Sequence, residues 1–218
     1  MIKAVLFDLE GVLVTTDQCH YRAWKQMTDE QGIPFHEEVY AKIRGSGRMD
    51  ALDIILKMAR RHYSAAEKFA LTARKNDLYI EQIARMTDDV LMPGALDTVL
   101  GLKEIGAKVA VVSSSQNCVA ILKKLDIWRL IDAVVDGSDV RHPEPDPEGY
   151  LLAAQKLGVD PANCLVVEDT VNGITAAHNA GMYSLSVGEA ALDKNAALRA
   201  KDLSAIDLVG LVACRTGE

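Results

Sequence analysis

The stretch "VLFDLEGVLV", residues 5–14, combines a short apolar run with two carboxylates and a glycine. The apolar part, within residues 2–9, predicts a strand that is buried on both faces. Asp8 and Glu10 come at its carboxyl end, and in an extended segment their side chains point to the same side. Folding does not require two acids at the mouth of a buried strand. The stretch therefore indicates chemistry at the end of this strand.

The rest of the chain changes its periodicity twice. Residues 17–86 carry apolar side chains spaced three and four apart with charged faces opposite, which predicts helices and no strand. From about residue 90 strands and helices alternate, which predicts a parallel sheet with helices on both faces and all carboxyl ends at one edge. Strand segments are expected at 108–114, 133–137, 164–169 and 183–188, and helices at 95–106, 117–125, 148–158 and 173–181.

The predicted fold class is thus α/β, with a Rossmann-like parallel core and an all-helical domain inserted after the first strand. We expect the core to comprise residues 1–16 and 88–218, and the helical insert to comprise residues 17–87. Connectors with glycine and proline, such as "QGIPF" and "IRGSGRMD", separate the helices of the insert.

Composition excludes several classes of protein. The 218 residues are 49% hydrophobic and carry a net charge of −7, which argues against a nucleic-acid or anionic-membrane partner. The four cysteines form no C-x-x-C pair, so we expect no zinc or redox motif and a reducing cytoplasm. The N-terminus lacks the pattern of a signal peptide, and no apolar run approaches the roughly 20 residues of a membrane span.

Three predicted strands end in polar residues at the same edge of the sheet: Asp8 with Glu10, Ser113 with its neighbours, and Glu168 with Asp169. Each group alone is typical of a helix cap or a solvated turn. Together, carboxylates at one edge repel one another and are usually balanced by a cation, for which oxygen ligands favour Mg²⁺ over zinc. A carboxylate can attack phosphorus while its neighbour moves a proton. The pattern predicts magnesium-assisted phosphoryl transfer.

These stretches resemble the four motifs of the haloacid dehalogenase superfamily over almost the whole chain. The motifs stand here as "VLFDLEGVLVTTD", "VAVVSSS", "RHPEPD" and "VVEDTVNGITAAHNAGM". The resemblance implies that the helical insert is a mobile cap domain over the core.

Within the superfamily, the insert is similar to that of the β-phosphoglucomutase family in "TTDQCHYRAWKQM", "RGSGRMDAL" and "ARKNDLYIEQI". The glycines of R-G-S-G-R form no dinucleotide fingerprint, because they follow a helix rather than a strand. The resemblance implies that substrate is bound by Thr16, His20, Trp24, Gly45, Arg48, Lys75 and Asn76, and by Ser114, Ser115, Gln116 and Asn117 of the core.

The resemblance also implies the chemistry. Asp8 would attack phosphorus, Glu10 would move protons, and Ser113 and the N–H of Ser114 would bind the transferring group, with His142 as the basic residue of the third motif. The implied reaction interconverts β-glucose 1-phosphate and glucose 6-phosphate through a bisphosphate, under a closed cap that excludes water. The implied partner is a small sugar phosphate, and the implied state is a monomer. The implied metal-site residues are Asp8, Glu10, Glu168 and Asp169.

Three positions depart from the family pattern. Glu10 stands where an aspartate is expected, and one extra methylene displaces a carboxylate by about 1 Å, which can cost about a hundredfold in rate. His142 replaces a lysine and is charged only when protonated. Gln116 replaces another lysine. Two alternatives to a mutase therefore stay open: a phosphatase for small sugar phosphates, and a sugar-phosphate-binding homologue with weak catalysis.

Overall fold

The computed structural model describes residues 1–188 and 195–214. Its contacts divide the chain into two compact units, Met1–Thr15 with Thr87–Glu218, and Thr16–Met86. The assignment of these units as core and cap domains stays a prediction.

The first unit contains a six-stranded sheet in the order β3-β2-β1-β4-β5-β6, in which every neighbouring pair is parallel. The predicted α/β class with a parallel sheet is confirmed. The central strand is the one that opens the chain, because β1 pairs with both β2 and β4. The strands are β1 Ala4–Asp8, β2 Lys108–Val112, β3 Ala133–Val135, β4 Cys164–Glu168, β5 Tyr183–Ser186 and β6 Leu198–Arg199.

The described residues form helices in both units. Four lie in the second unit, which has no strand, and five in the first. They are α1 Asp17–Glu30, α2 Glu37–Ile43, α3 Arg48–Leu56, α4 Ala65–Ala84, α5 Ala95–Glu104, α6 Cys118–Lys124, α7 Glu148–Leu157, α8 Val171–Asn179 and α9 Leu208–Cys214.

The core of the first unit surrounds β1 on both faces. Ala4 and Leu6 pack in one buried cluster with Tyr150 of α7 and Ala176 of α8. Their neighbours in the strand point to the opposite face and are equally buried, as the continuous apolar run predicts. Parallel pairing with β2 and β4 on either side places the last residue of β1, Asp8, at the carboxyl edge of the sheet.

Two elements near the end of the chain were not expected from the sequence. Strand β6 has only two residues, too few to show any alternation. Helix α9 is "LVGLVAC", a continuous apolar run without helical periodicity, and it packs on α5, where Gly101 faces Val209. Both lie outside the patterns that separate helices from strands.

The four cysteines, all among the described residues, are free thiols. Cys19, Cys118 and Cys164 are buried free thiols, and Cys214 is exposed and free. Among the described residues no helix is both long and apolar enough to span a bilayer.

Substitution of Gly94 tests how closely the segment before α5 packs against the backbone of residues 203 and 204. It precedes α5 with a φ of +78°, and a Cβ there would overlap the backbone at Leu203 and Ser204. We expect Gly94→Ala to lower the free energy of unfolding by about 3 kcal/mol or more, since backbone cannot yield as a flexible side chain can. Gly158→Ala is the matched control, because its φ is +64° but nothing lies within 4 Å of its Cβ position. The free energy of unfolding of Gly158→Ala, measured in urea, should fall by only about 1 kcal/mol. Equal losses in the two variants would show that the backbone overlap at Gly94 has no effect.

Candidate active site

The carboxyl edge of the sheet holds a cluster of four carboxylates. Asp8 ends β1 and Glu168 ends β4, and the parallel pairing of these strands places them side by side, with Asp169 next in the chain. Burial, followed by repulsion from Glu168, Glu144 and Asp169, raises the pKa of Asp8 well above its ordinary value. The structure therefore brings together three predicted acids and adds a fourth, Glu144 of the third-motif loop.

Glu168 accepts three hydrogen bonds from protein groups. One of its oxygens, Oε1, accepts from the Tyr150 hydroxyl at 2.9 Å, and Oε2 accepts from the backbone N and Oγ1 of Thr170 at 2.7 and 2.9 Å. Burial and then the charge of Glu144 raise the pKa of Glu168 to about 8. Both of its oxygens are thus engaged within the protein.

The turn after β1 depends on Gly11. Its φ is +81°, and a Cβ there would overlap the Asp169 carboxylate, so the position requires glycine for both conformation and close approach. The chain bends after Asp8, and Glu10 forms an isolated bridge with Val14. The expectation that one extended segment carries both Asp8 and Glu10 is therefore wrong, because the strand ends at Asp8 and the chain bends at Leu9.

The serine motif lies on the other side of β1, directly after β2. Ser113 is buried, its N–H donates to the Val135 carbonyl at 2.9 Å, and its Oγ accepts from the backbone N of Ser115 at 3.2 Å. The Oγ of Ser115 accepts from the backbone N of Asn117 at 3.2 Å, and Gln116 and Asn117 directly precede α6. The expected phosphate-binding segment is thus a compact turn leading into a helix.

A cavity of about 310 Å³ joins the serine motif to the third motif. Ser113 and Ser114 line it together with His142 and Glu144, and most of the other walls are apolar. The His142 side chain is 69% exposed, and its Nδ1 lies 2.9 Å from Oε2 of Glu148. His142 thus lines the same cavity as the serines, while most of its side chain is exposed and its Nδ1 is paired with an acid.

The second unit carries a buried lysine among aromatic rings. Lys75 is 4% exposed, and its Nζ lies 2.7 Å from Nδ1 of His20 and about 5 Å from the ring centres of Trp24 and Tyr79. Burial and then Arg48 lower the pKa of Lys75 to about 7. Burial, Lys75 and Arg48 lower the pKa of His20 to about 3, so His20 is neutral at physiological pH. Three residues predicted to bind substrate thus meet at one point.

The other predicted residues of the second unit lie around this cluster. The hydroxyls of Thr16 and Tyr79 are 2.8 Å apart, and Arg48 Nη2 donates to Asn76 Oδ1 at 2.9 Å. Gly45 adopts a φ of +74° in the preceding turn. The expectation that Arg48 lies in a loop is wrong, because α3 begins at Arg48. The three residues after Gly47 continue as helix, so the connector is shorter than its glycines indicate.

Four residues of these clusters were missed by sequence reasoning: Glu144, Glu148, Tyr150 and Tyr79. Both acids lie in "HPEPDPE", residues 142–148, and their closeness to His142 in the sequence was the available signal. The two tyrosines lie on apolar helix faces, and a buried tyrosine hydroxyl generally seeks a polar partner.

Comparison with known proteins defines the family. Residues 2–181 match the model of the haloacid dehalogenase-like hydrolases. The chain is 37% identical over 190 residues to the β-phosphoglucomutase of Bacillus subtilis, covering 86% of this chain and 84% of that protein. It is 29% identical over 206 residues to a phosphorylated carbohydrates phosphatase of Thermotoga maritima, covering 89% and 92%. A crystal structure of β-phosphoglucomutase from Clostridium difficile matches with a TM-score of 0.82 and 30% identity over 99% of both chains. This chain belongs to the haloacid dehalogenase-like hydrolase family.

The raised pKa of Glu168 predicts a pH-dependent cost to folding without metal. The side chain ionises near 4.5 in the unfolded chain and near 8 in the folded one, so the folded state holds the extra proton and stability falls as pH rises through this window. We expect Glu168→Gln to stabilise the protein in EDTA by a few kcal/mol at pH 8 and by much less at pH 5.

Thermal unfolding at both pH values measures this difference. Glu104→Gln, which changes an exposed carboxylate of α5, is the control and should have little effect at either pH. A Glu168→Gln variant that is less stable than the parent at pH 8 would show that its hydrogen bonds outweigh the buried charge.

Proposed function

We propose that this chain is a Mg²⁺-dependent sugar-phosphate phosphotransferase of the β-phosphoglucomutase type, interconverting β-glucose 1-phosphate and glucose 6-phosphate. The observation that carries the proposal is the carboxylate cluster at the carboxyl edge of the sheet, with Asp8 beside Glu168 and Asp169. The paired Arg48 and Asn76 and the buried Lys75 supply groups suited to a phosphate and to sugar hydroxyls. The identity to a β-phosphoglucomutase supports the choice of reaction.

The carboxylates fit a magnesium ion. They offer only oxygen donors and raise one another's pKa, a repulsion that a bound divalent cation relieves. Asp8, Asp169 and the backbone carbonyl of Glu10 would hold the ion. Glu168 would stay beside it, because both of its oxygens accept hydrogen bonds from protein groups. The bound ion would neutralise part of the charge on the transferring phosphoryl group.

Each step of the proposed reaction then falls to particular residues of the chain. An Asp8 carboxylate oxygen attacks phosphorus, the bond to the sugar oxygen breaks, and an aspartyl-phosphate forms. Glu10 gives a proton to the departing sugar oxygen and later takes one from the attacking hydroxyl. Ser113 Oγ and the N–H of Ser114 hold the phosphoryl group during both transfers.

The decisive assay supplies β-glucose 1-phosphate with Mg²⁺ and a trace of the 1,6-bisphosphate, followed by ³¹P NMR. We expect glucose 6-phosphate to accumulate only when the bisphosphate is present, because the bisphosphate loads Asp8. Asp8→Asn should abolish the signal. Release of inorganic phosphate without glucose 6-phosphate would reject the mutase.

A phosphatase for small sugar phosphates is the second candidate. Gln116, two residues before α6, leaves that position without a cation that would help retain a bisphosphate. The relative from Thermotoga maritima, described as a phosphatase, agrees with this alternative. The same NMR assay separates the two, because water and sugar then compete for one aspartyl-phosphate.

Arg48 tests whether the distal phosphate is bound as proposed. We expect Arg48→Ala to lower the rate with sugar phosphates about a hundredfold, and to leave labelling of Asp8 by acetyl phosphate almost unchanged, since acetyl phosphate has no second phosphate to hold. Arg61→Ala is the control, because Arg61 is exposed in the same unit and pairs with Glu67 at 2.7 Å. An equal loss of rate with sugar phosphates and with acetyl phosphate would show that Arg48 does not bind the distal phosphate.

A further inference from the structure

The side chain of Glu144 is partly buried where the third-motif loop meets the carboxyl edge of the sheet. It lines the same cavity as Ser113 and Val112, and Val112 is the residue of β2 that pairs with Asp8. The start of α7 packs against the same strand end, because a Cβ at Gly149 would lie 3.2 Å from Cγ1 of Val112. The loop therefore brings Glu144 to the end of the two strands that carry the serine motif and Asp8.

The charge of Glu144 acts on the acids that follow β1 and β4. Burial and then repulsion from Asp169 raise the pKa of Glu144 itself. Burial and repulsion from Glu168 raise the pKa of Asp8 most, and Glu144 raises it further. After burial, Glu144 is also the main cause of the raised pKa of Glu168. Because such repulsion falls off with distance, Glu144 belongs to the same cluster as these three acids.

No protein cation balances this charge within the described residues. The Glu144 carboxylate has no hydrogen-bond or ion-pair partner there. The basic side chain among the described residues of the cavity lining is His142, and its Nδ1 faces Glu148 instead. By contrast, Glu168 accepts three hydrogen bonds from protein groups. A carboxylate held beside other carboxylates in this way favours a bound cation nearby.

We propose that Glu144 sets the cation affinity of the proposed magnesium site through its charge, and that this charge makes binding of a phosphoryl group depend on a bound cation. The inference rests on the proposed function, because a Mg²⁺ ion held by Asp8 and Asp169 is part of that proposal. Glu144 does not have to touch the ion, since charges in a partly buried site interact over several ångströms. Its carboxylate attracts the cation and repels the phosphoryl group.

These two effects have opposite signs, and removing the charge alone reveals both. Glu144→Gln keeps the size of the side chain and one carbonyl oxygen. We expect the Kd for Mg²⁺ to rise about tenfold, whereas the Kd for inorganic phosphate at saturating Mg²⁺ should fall about threefold. Isothermal titration calorimetry at neutral pH measures both constants. General damage to the site would instead weaken the binding of both ligands.

Two further variants separate the charge of Glu144 from other features of the loop. Glu144→Asp keeps the charge and should retain most of the affinity for Mg²⁺. Asp146→Asn is the matched control, because Asp146 lines the same cavity but is not among the acids that raise the pKa of Asp8 or Glu168. Its Kd for Mg²⁺ should change by less than about twofold, as for an exposed charge.

The control also tests a competing location for the cation. Ligand atoms of His142, Asp146 and Glu148 lie within 4.8 Å of one another, in an arrangement that could itself hold an ion. A loss of Mg²⁺ affinity in Asp146→Asn as large as that in Glu144→Gln would locate the cation at this group and overturn the proposal.

Thermal unfolding keeps the test valid if a substitution weakens folding. A ligand that binds only the folded state raises the unfolding temperature, so Glu144→Gln should need about tenfold more Mg²⁺ than the parent for the same rise. An unchanged Mg²⁺ requirement, or weaker binding of both Mg²⁺ and phosphate, would overturn the role of Glu144.

These titrations need no turnover, so the two proposals fail separately. A parent protein that binds Mg²⁺ and phosphate but forms no glucose 6-phosphate would reject the proposed reaction, while the opposite shifts of the two Kd values would still support the role of Glu144. A parent protein that binds no Mg²⁺ would overturn both.

Discussion

Repulsion between carboxylates at the carboxyl edge of the sheet is the constraint around which the first unit is built. Asp8 and Glu168 cannot move apart, because each ends a strand buried on both faces and the two strands pair directly. Gly11 and Gly173 admit the carboxylates of Asp169 and Glu168 where any side chain would collide. The fold therefore keeps these carboxylates close together, whereas carboxylates on a mobile loop would move apart.

The second unit gathers basic side chains instead. Burial, Lys75 and Arg48 oppose protonation of His20, and burial with Arg48 lowers the pKa of Lys75 itself to about 7. Aromatic faces of Trp24 and Tyr79 take the place of counterions around the lysine. Helices α1 and α4, which pack against each other, hold these side chains together.

The sequence was most informative where burial dictates residue type. Continuous apolar runs identified β1, β2 and β4, and parallel pairing then placed the polar residues after them at one edge. The sequence was least informative about contacts between side chains of different helices and strands, because these contacts depend on how the elements pack. Tyr150 reaches Glu168 only because α7 packs over β1, and no local pattern encodes that packing. Strand β1 ends at Asp8, one residue before the end of the predicted strand, because the chain bends at Leu9.

In the third motif, His142 stands where the family pattern has a lysine. A lysine carries its charge at any physiological pH, whereas a histidine needs a proton and therefore depends on its surroundings. Here the surroundings are acidic on several sides, with Glu148 on Nδ1 and Glu144 in the shared cavity. A phosphoryl group in this cavity would therefore face carboxylates, whereas a lysine in the same loop would offer it a fixed positive charge.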